Sequence, residues 1–145
     1  MIALIQRVTE AQVVVENKTV GQINHGLLVL LGVEKLDDET TADKLLKKIV
    51  NYRVFSDEND KMNLSLLDIN ADILLVSQFT LVANTQKGLR PSFSSAADPK
   101  MSKDLYEYMI QQANLLSIKV ESGIFAADMK VSLTNDGPVT FYLKA

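Results

Sequence analysis

Cysteine is missing from the chain altogether, and histidine occurs once, at His25. Without thiols there is no disulfide, no thiolate nucleophile and no zinc–thiolate site, and the composition suits a reducing cytosol. One histidine also leaves the usual transition-metal ligand sets unfilled, so neither a metal nor a cofactor is expected. No apolar run approaches the ~18–20 residues of a membrane span. The opening MIALIQRVTE has no basic n-region and no small-residue cleavage site; it reads as a strand, not a signal peptide, and the expected location is cytoplasmic. Charge is nearly balanced, with 15 Lys and Arg against 18 Asp and Glu, a net charge of −3 and a pI of about 5.1. Broad coating of nucleic acid is thereby disfavoured, and any such contact has to be local. Glycine-rich phosphate loops, internal repeats and low-complexity tracts are absent as well.

What is present is a globular balance of 47% hydrophobic and 23% charged residues over 145 positions. That length makes one domain, residues 1–145, able to bury roughly 70% of the surface of its unfolded chain. Met1 to Glu16, Val20 to Ile23 and Leu27 to Val33 read as a meander of strands rich in β-branched and leucine residues. Asp37 to Tyr52 carries Leu45, Leu46, Ile49 and Tyr52 at helical spacing, with acids before bases. Asp98-Pro99 is a strong helix start, and that helix is expected to reach about Leu116, with Met101, Leu105, Tyr108, Met109 and Leu115 or Leu116 inward. Lys119 to Glu121, Met129 to Thr134 and Val139 to Leu143 read as closing strands. The expected fold is α+β: a mainly antiparallel sheet, curled like a barrel, with two helices.

The stretch ILLVSQFTLV at 73–82 stands apart. Apolar segments on either side read as a buried strand, yet Ser77, Gln78, Phe79 and Thr80 interrupt it. A buried Gln78 amide without a partner costs about 1–3 kcal/mol, so the insert calls for a hydrogen-bond network or a pocket. A satisfied polar patch is the plainer alternative. The loop that follows, ANTQKGLRPSFSSAADP, is long for a mere connection and carries Lys87, Arg90 and Phe93. Lys87 and Arg90 read either as solvated charges or, being close in sequence to the insert, as phosphate contacts. His25 precedes a glycine in a probable turn sequence, and no G-x-S-x-G elbow surrounds Ser77, so a Ser-His-acid triad is the weaker reading. Asn135-Asp136-Gly137-Pro138 reads as a hairpin turn or as a constrained dipeptide presenting its carbonyl oxygens, and sequence physics alone favours a trans Gly-Pro bond.

Two of these stretches, SQFTL at Ser77–Leu81 and NDGPVT at Asn135–Thr140, together resemble the signatures of the D-aminoacyl-tRNA deacylases, also called D-tyrosyl-tRNA deacylases. QRV at 6–8, LLVLLGV, KMN at 61–63, GLRPSF at 88–93 and ADMKVSL at 127–133 extend the likeness over the whole chain. FAADM at 125–129 departs from an expected FGADM, which puts the backbone angle at Ala126 in question. The resemblance implies that family's fold and hydrolysis of the ester between a D-amino acid and the terminal ribose of tRNA, with glycine on a wrong tRNA, such as that for alanine, also removed. It implies a homodimer in which a cis Gly137-Pro138 pair enters the partner's pocket and rejects L-amino acids, while Ser77, Gln78, Phe79 and Thr80 form the pocket floor. An aminoacyl ester is already activated, so orientation, an oxyanion stabiliser formed by N–H groups around Gln78 and Phe79, ordering of ribose or water by Ser77 and Thr80, and the substrate's own 2′-hydroxyl suffice for chemistry. A small-ester serine hydrolase using Ser77 and a non-catalytic nucleotide-binding module are the rival readings.

Overall fold

A computed structural model of the chain describes residues 1–86 and 88–145. The first strand, β1, runs unbroken over Ile2–Val15 and organises the rest. After a turn at Glu16-Asn17, the chain returns along one edge of β1 as β2 (Lys18–Ile23) and then β3 (Gly26–Gly32), pairing with Ala11–Val15 and Ile2–Val8 in turn. The expected meander is therefore one long hairpin. Its return arm breaks at Asn24-His25 because β1 is long enough to serve both segments.

The helix α1 spans Glu39–Val50; Asp38 caps it by accepting from the Thr41 N–H at 2.7 Å. Short strands β4 (Phe55–Ser56) and β5 (Met62–Leu64) pair with each other, and β6 (Asp72–Ser77) then lies parallel to β3. The helix α2 covers Pro99–Asn114, β7 covers Val120–Ser122, and β8 covers Lys130–Lys144. β7 is parallel to β6, and β8 runs antiparallel along the other edge of β1. Parallel neighbours need crossovers, which α1 and α2 supply. The sheet is thus mixed: antiparallel around β1 and parallel through β3, β6 and β7. At its far edge it nearly closes into a barrel, where Lys119 Nζ donates to the Gln22 carbonyl at 2.8 Å and joins β7 to β2.

Alternation along β3 and β6 separates two cores. Leu27, Val29, Leu31, Ile73 and Leu75 face the helices and meet Leu45, Ile49, Leu105 and Met109. Leu28, Leu74 and Val76 point into the barrel with Val8, Ala11, Val13 and Ile23. In β1 the helix-facing residues are Ala3 and Ile5, whereas the barrel-facing ones are Val8, Ala11 and Val13. An extra β1 residue between Val8 and Glu10 accounts for the change of parity, since a bulge flips the alternation. β6 is covered on both faces, and truncating Leu74 to alanine there costs about 2–5 kcal/mol. Close approach at the start of β6 requires Gly26, because a Cβ at that position would run into the Asp72 carbonyl.

Three further expectations are corrected. The apolar run at 73–82 is not a strand on both sides of its insert: β6 ends at Ser77, and Phe79–Val82 is a 3₁₀ turn. In α2 the fully buried tyrosine is Tyr106, which the expected inward set omits; Tyr108 is only half-buried, packing on the core while its hydroxyl donates to Asp43 at 3.1 Å, and of the two alternatives Leu115 and Leu116 it is Leu116 that packs inward. Finally, Asn135-Asp136-Gly137-Pro138 does not reverse the chain. Asn135 pairs with Val8 and Thr140 with Gln6, so both halves of β8 follow β1 and residues 136–139 bulge out of the ladder. The Asp-Gly signal misleads because a turn and a wide bulge demand the same backbone freedom; Gly137 has φ +130, a value L side chains rarely adopt.

Candidate active site

The polar insert lies at the carboxyl end of a parallel strand, the position where mixed and parallel sheets leave an open crevice. The last rung of the β3–β6 ladder is the Gln78 N–H donating to the Leu31 carbonyl at 2.7 Å. Beyond it the chain turns into the 3₁₀ segment, whose first N–H groups, those of Phe79 and Thr80, have no acceptor within the turn itself. They are ready donors for a ligand oxygen. The Gln78 amide donates to the Thr80 hydroxyl at 2.6 Å, which fixes that side chain across the turn.

A cleft of about 550 Å³ opens beside this turn. Val76, Ser77, Gln78 and Phe79 line one side, the start of α2 with Ala96, Ala97, Pro99 and Ser102 a second, and the segment Phe125–Met129 a third. That volume suits a nucleoside-sized ligand. The back of the cleft is braced by Tyr106, whose buried hydroxyl lies 2.9 Å from the Leu75 carbonyl and 3.0 Å from that of Gly123. Burial pushes the Tyr106 phenol far up, so it stays protonated as a structural donor. Ala126 sits at φ 61, the left-handed region that glycine enters freely, so the departure from the expected glycine does fall on a backbone angle.

The sequence-derived site residues are distributed unevenly. Ser77, Gln78 and Phe79 line the cleft, and Thr80 stands beside it, bonded to Gln78. Arg90 is exposed on the loop after the 3₁₀ turn. Lys87 lies outside the described residues. Gly137 and Pro138 do not line the cleft of their own chain; they stand exposed on the β8 bulge, and the bond between them is cis. His25 is exposed and rests edge-on against Phe55 at 5.2 Å, which is the plain reading of that residue.

Two elements gain a structural place that their sequence motifs do not convey. One is the third wall of the cleft, Phe125–Met129, which contains the unexpected alanine of FAADM. The other is Arg7 of the QRV stretch, which clamps the β8 bulge. Its Nε donates to the Asp136 carbonyl at 3.0 Å and pairs with the Asp136 carboxylate at 3.2 Å, while Nη1 donates to the Val54 carbonyl at 2.6 Å. Asn135 closes the base of the bulge from the other side, accepting from the Val139 N–H at 2.9 Å and donating to the Thr140 hydroxyl at 3.1 Å. The available signal is an arginine inside a predicted strand, since a charge in a strand interior needs a partner.

Among the described residues the only titratable side chain lining the cleft is Asp128, engaged with Lys130 at 3.0 Å. No group of three or more metal-ligating side chains occurs among the described residues, and no described helix is long and apolar enough to cross a membrane. The arrangement offers hydrogen-bond donors, hydroxyls and apolar walls rather than a strong base.

Known proteins share both the sequence and the fold. A D-aminoacyl-tRNA deacylase of Pseudoalteromonas translucida is 64% identical over 143 residues, covering 99% of each chain. One from Photorhabdus laumondii is 62% identical over 144 residues, with 99% of each chain covered. Among solved structures, the c-Myc DNA unwinding element binding protein superposes with a TM-score of 0.95 at 36% identity, over 100% of this chain and 99% of that one. A structure described as a probable eukaryotic D-amino acid tRNA deacylase shares the fold, with a TM-score of 0.88 at 16% identity, over 99% of this chain and 98% of that one. Since the D-Tyr-tRNA(Tyr) deacylase family model also matches residues 4–144, the chain belongs to that family.

Proposed function

We propose that the protein hydrolyses the ester of D-aminoacyl-tRNA, releasing free tRNA and the D-amino acid, in the cytoplasm where charged tRNA is used. The observation that carries this reading is a nucleoside-sized cleft with a floor of main-chain donors and small hydroxyls, in a chain of this family. Because the aminoacyl ester is already activated, catalysis needs an oxyanion site and an ordered nucleophile more than a charged base. The N–H groups at Phe79 and Thr80 hold the carbonyl oxygen as it becomes negative; the Gln78 N–H, expected to share that task, is instead taken up by the Leu31 carbonyl. Ser77 and the Gln78–Thr80 pair order the ribose or water, and the substrate 2′-hydroxyl assists attack.

Chiral selection is a matter of exclusion. Exchanging hydrogen and side chain at the α-carbon leaves every functional group in place, so a rigid obstacle has to meet one arrangement and not the other. In this reading the obstacle is the Gly137-Pro138 main chain of a second copy, inserted into the cleft of the first, with its carbonyls gripping the substrate ammonium. Two features support it. The bulge is held by Arg7 and Asn135 yet does not line its own chain's cleft, and among the described residues β8 pairs only with β1, leaving a long outer edge with Leu133 and Tyr142 exposed. A two-fold, isologous dimer satisfies both. Glycine has no side chain to meet the obstacle, so glycyl-tRNA charged on the tRNA for alanine is cleaved too. Arg90 and Lys87 contact phosphates of the acceptor end.

The test is to incubate the purified protein with matched D- and L-tyrosyl-tRNA and follow free tyrosine. Release from the D-ester with the L-ester left intact is expected. Equal cleavage of both esters, or of simple small esters in preference to either, contradicts the reading.

A further inference from the structure

Phe79 and Phe93 form an exposed aromatic pair that the chemistry above leaves unused. Their ring centroids lie 5.1 Å apart with planes tilted by 44°. Phe79 is 64% exposed and Phe93 38% exposed, an unusual state for two phenyl rings that touch. Both residues sit on backbone that is hydrogen-bonded in place. Phe79 begins the 3₁₀ turn, and Phe93 sits in a turn closed by the Ala96 N–H donating to its carbonyl at 3.0 Å, just beyond the Asn84–Ser92 bridge of 2.8 and 3.0 Å that ties off the loop. Phe79 also lines the cleft, whereas Phe93 stands outside it. A group leaving the cleft along Phe79 therefore meets the second ring next.

We infer that Phe79 and Phe93 form a stacking platform for an unpaired nucleobase, the one immediately 5′ of the esterified terminal nucleotide. This inference rests on the deacylase reading and adds to it the means by which the protein holds the single-stranded end. Unstacked bases are gripped on aromatic faces, with little dependence on sequence. Two adjoining rings offer the area of one base, far short of the roughly 1,000 Å² that a stable protein partner needs. The protein's acidic balance also favours recognition through a few local contacts over a long electrostatic track.

The experiment compares Phe93→Ala with the wild type on three D-tyrosyl esters: full tRNA, a CCA trinucleotide and adenosine alone. Stacking predicts that kcat/KM falls by about 5–30-fold on the tRNA and trinucleotide esters, chiefly through KM. On the adenosine ester, which has no base to place on the platform, it stays within about twofold. Phe93→Trp retains the aromatic face and is expected to restore the loss. Because the chain has no tryptophan, that variant also supplies a single indole, whose fluorescence is expected to be quenched by uncharged tRNA ending in CCA. An equal loss on all three esters, or no loss on any, overturns the platform while leaving the deacylase activity standing. A wild-type protein that cleaves none of the esters removes the deacylase reading, and the platform with it.

Discussion

The two polar interruptions of this fold are built in opposite ways. At the end of β6, Ser77–Thr80 opens a turn whose useful donors belong to the main chain and whose one side-chain bond runs within the turn, from Gln78 to Thr80. On β8, the bulge at 136–139 is held by side chains: Arg7 reaches it from β1 while also holding Val54, and Asn135, the β8 residue just before it, spans its base. In the first region the available donors lie in backbone geometry that the surrounding sheet enforces, so it is expected to tolerate loss of single side chains. The second depends on a half-buried cation, so it is not.

That contrast sets the expected order of mutational effects. Arg7→Ala frees the bulge and leaves the Asp136 and Val54 carbonyls without their charged donor; kcat/KM on D-tyrosyl-tRNA is expected to fall by at least about 30-fold, equivalent to roughly 2 kcal/mol. Steady-state kinetics beside a thermal melt separate this loss from unfolding. Thr80→Ala removes one hydroxyl bond and leaves the N–H groups in place, so a loss of no more than about tenfold is expected. Complete inactivation of Thr80→Ala with tRNA binding intact would return a side-chain nucleophile to the scheme. His25→Asn changes kcat/KM by less than about twofold, because an exposed ring resting on Phe55 takes no part in the chemistry.

A smaller effect concerns stability alone. Burial raises the Glu34 carboxyl, but hydrogen bonds and charges from Lys144 and the Met1 ammonium outweigh it and hold the group below its ordinary value of 4.5. A depressed carboxylate contributes stability above its unfolded pKa and loses it as pH falls through the folded value. The difference in Tm between wild type and Glu34→Gln is thus expected to be present at pH 7 and to shrink below about pH 4.5. A difference that persisted at pH 3 would show that the pair is held by packing.

Much of this was readable in advance, for reasons that differ by region. Strand and helix periodicity located β1, β3, α1 and α2, because each buries one or two faces continuously, and Asp98-Pro99 marked the start of α2 through local chemistry. Which strands pair was not readable: β3 and β6 are joined across α1, and nothing in either strand's alternation says parallel. The apolar Leu81-Val82 looked like continuing strand, yet it packs as a 3₁₀ turn once the ladder ends. The SQFT floor was legible because polar residues in an apolar run demand an explanation. At the Phe125–Met129 wall the alanine in place of an expected glycine pointed to the backbone angle at Ala126, φ 61, but nothing in those residue types said that the segment walls the cleft.

The central claim, that each active site joins the cleft of one copy to the bulge of another, is tested most directly by subunit complementation. One variant, Arg7→Ala, spoils the bulge; a second, Ser102→Trp, fills the cleft with an indole. Each homodimer alone is expected to retain no more than about one-thirtieth of wild-type activity on D-tyrosyl-tRNA. Refolding the two together regenerates one intact site in every mixed dimer, so the mixture is expected to recover about a quarter of wild-type activity at random pairing. A mixture that forms mixed dimers yet stays as inactive as its parents would mean that cleft and bulge work within one chain, and the account would be wrong.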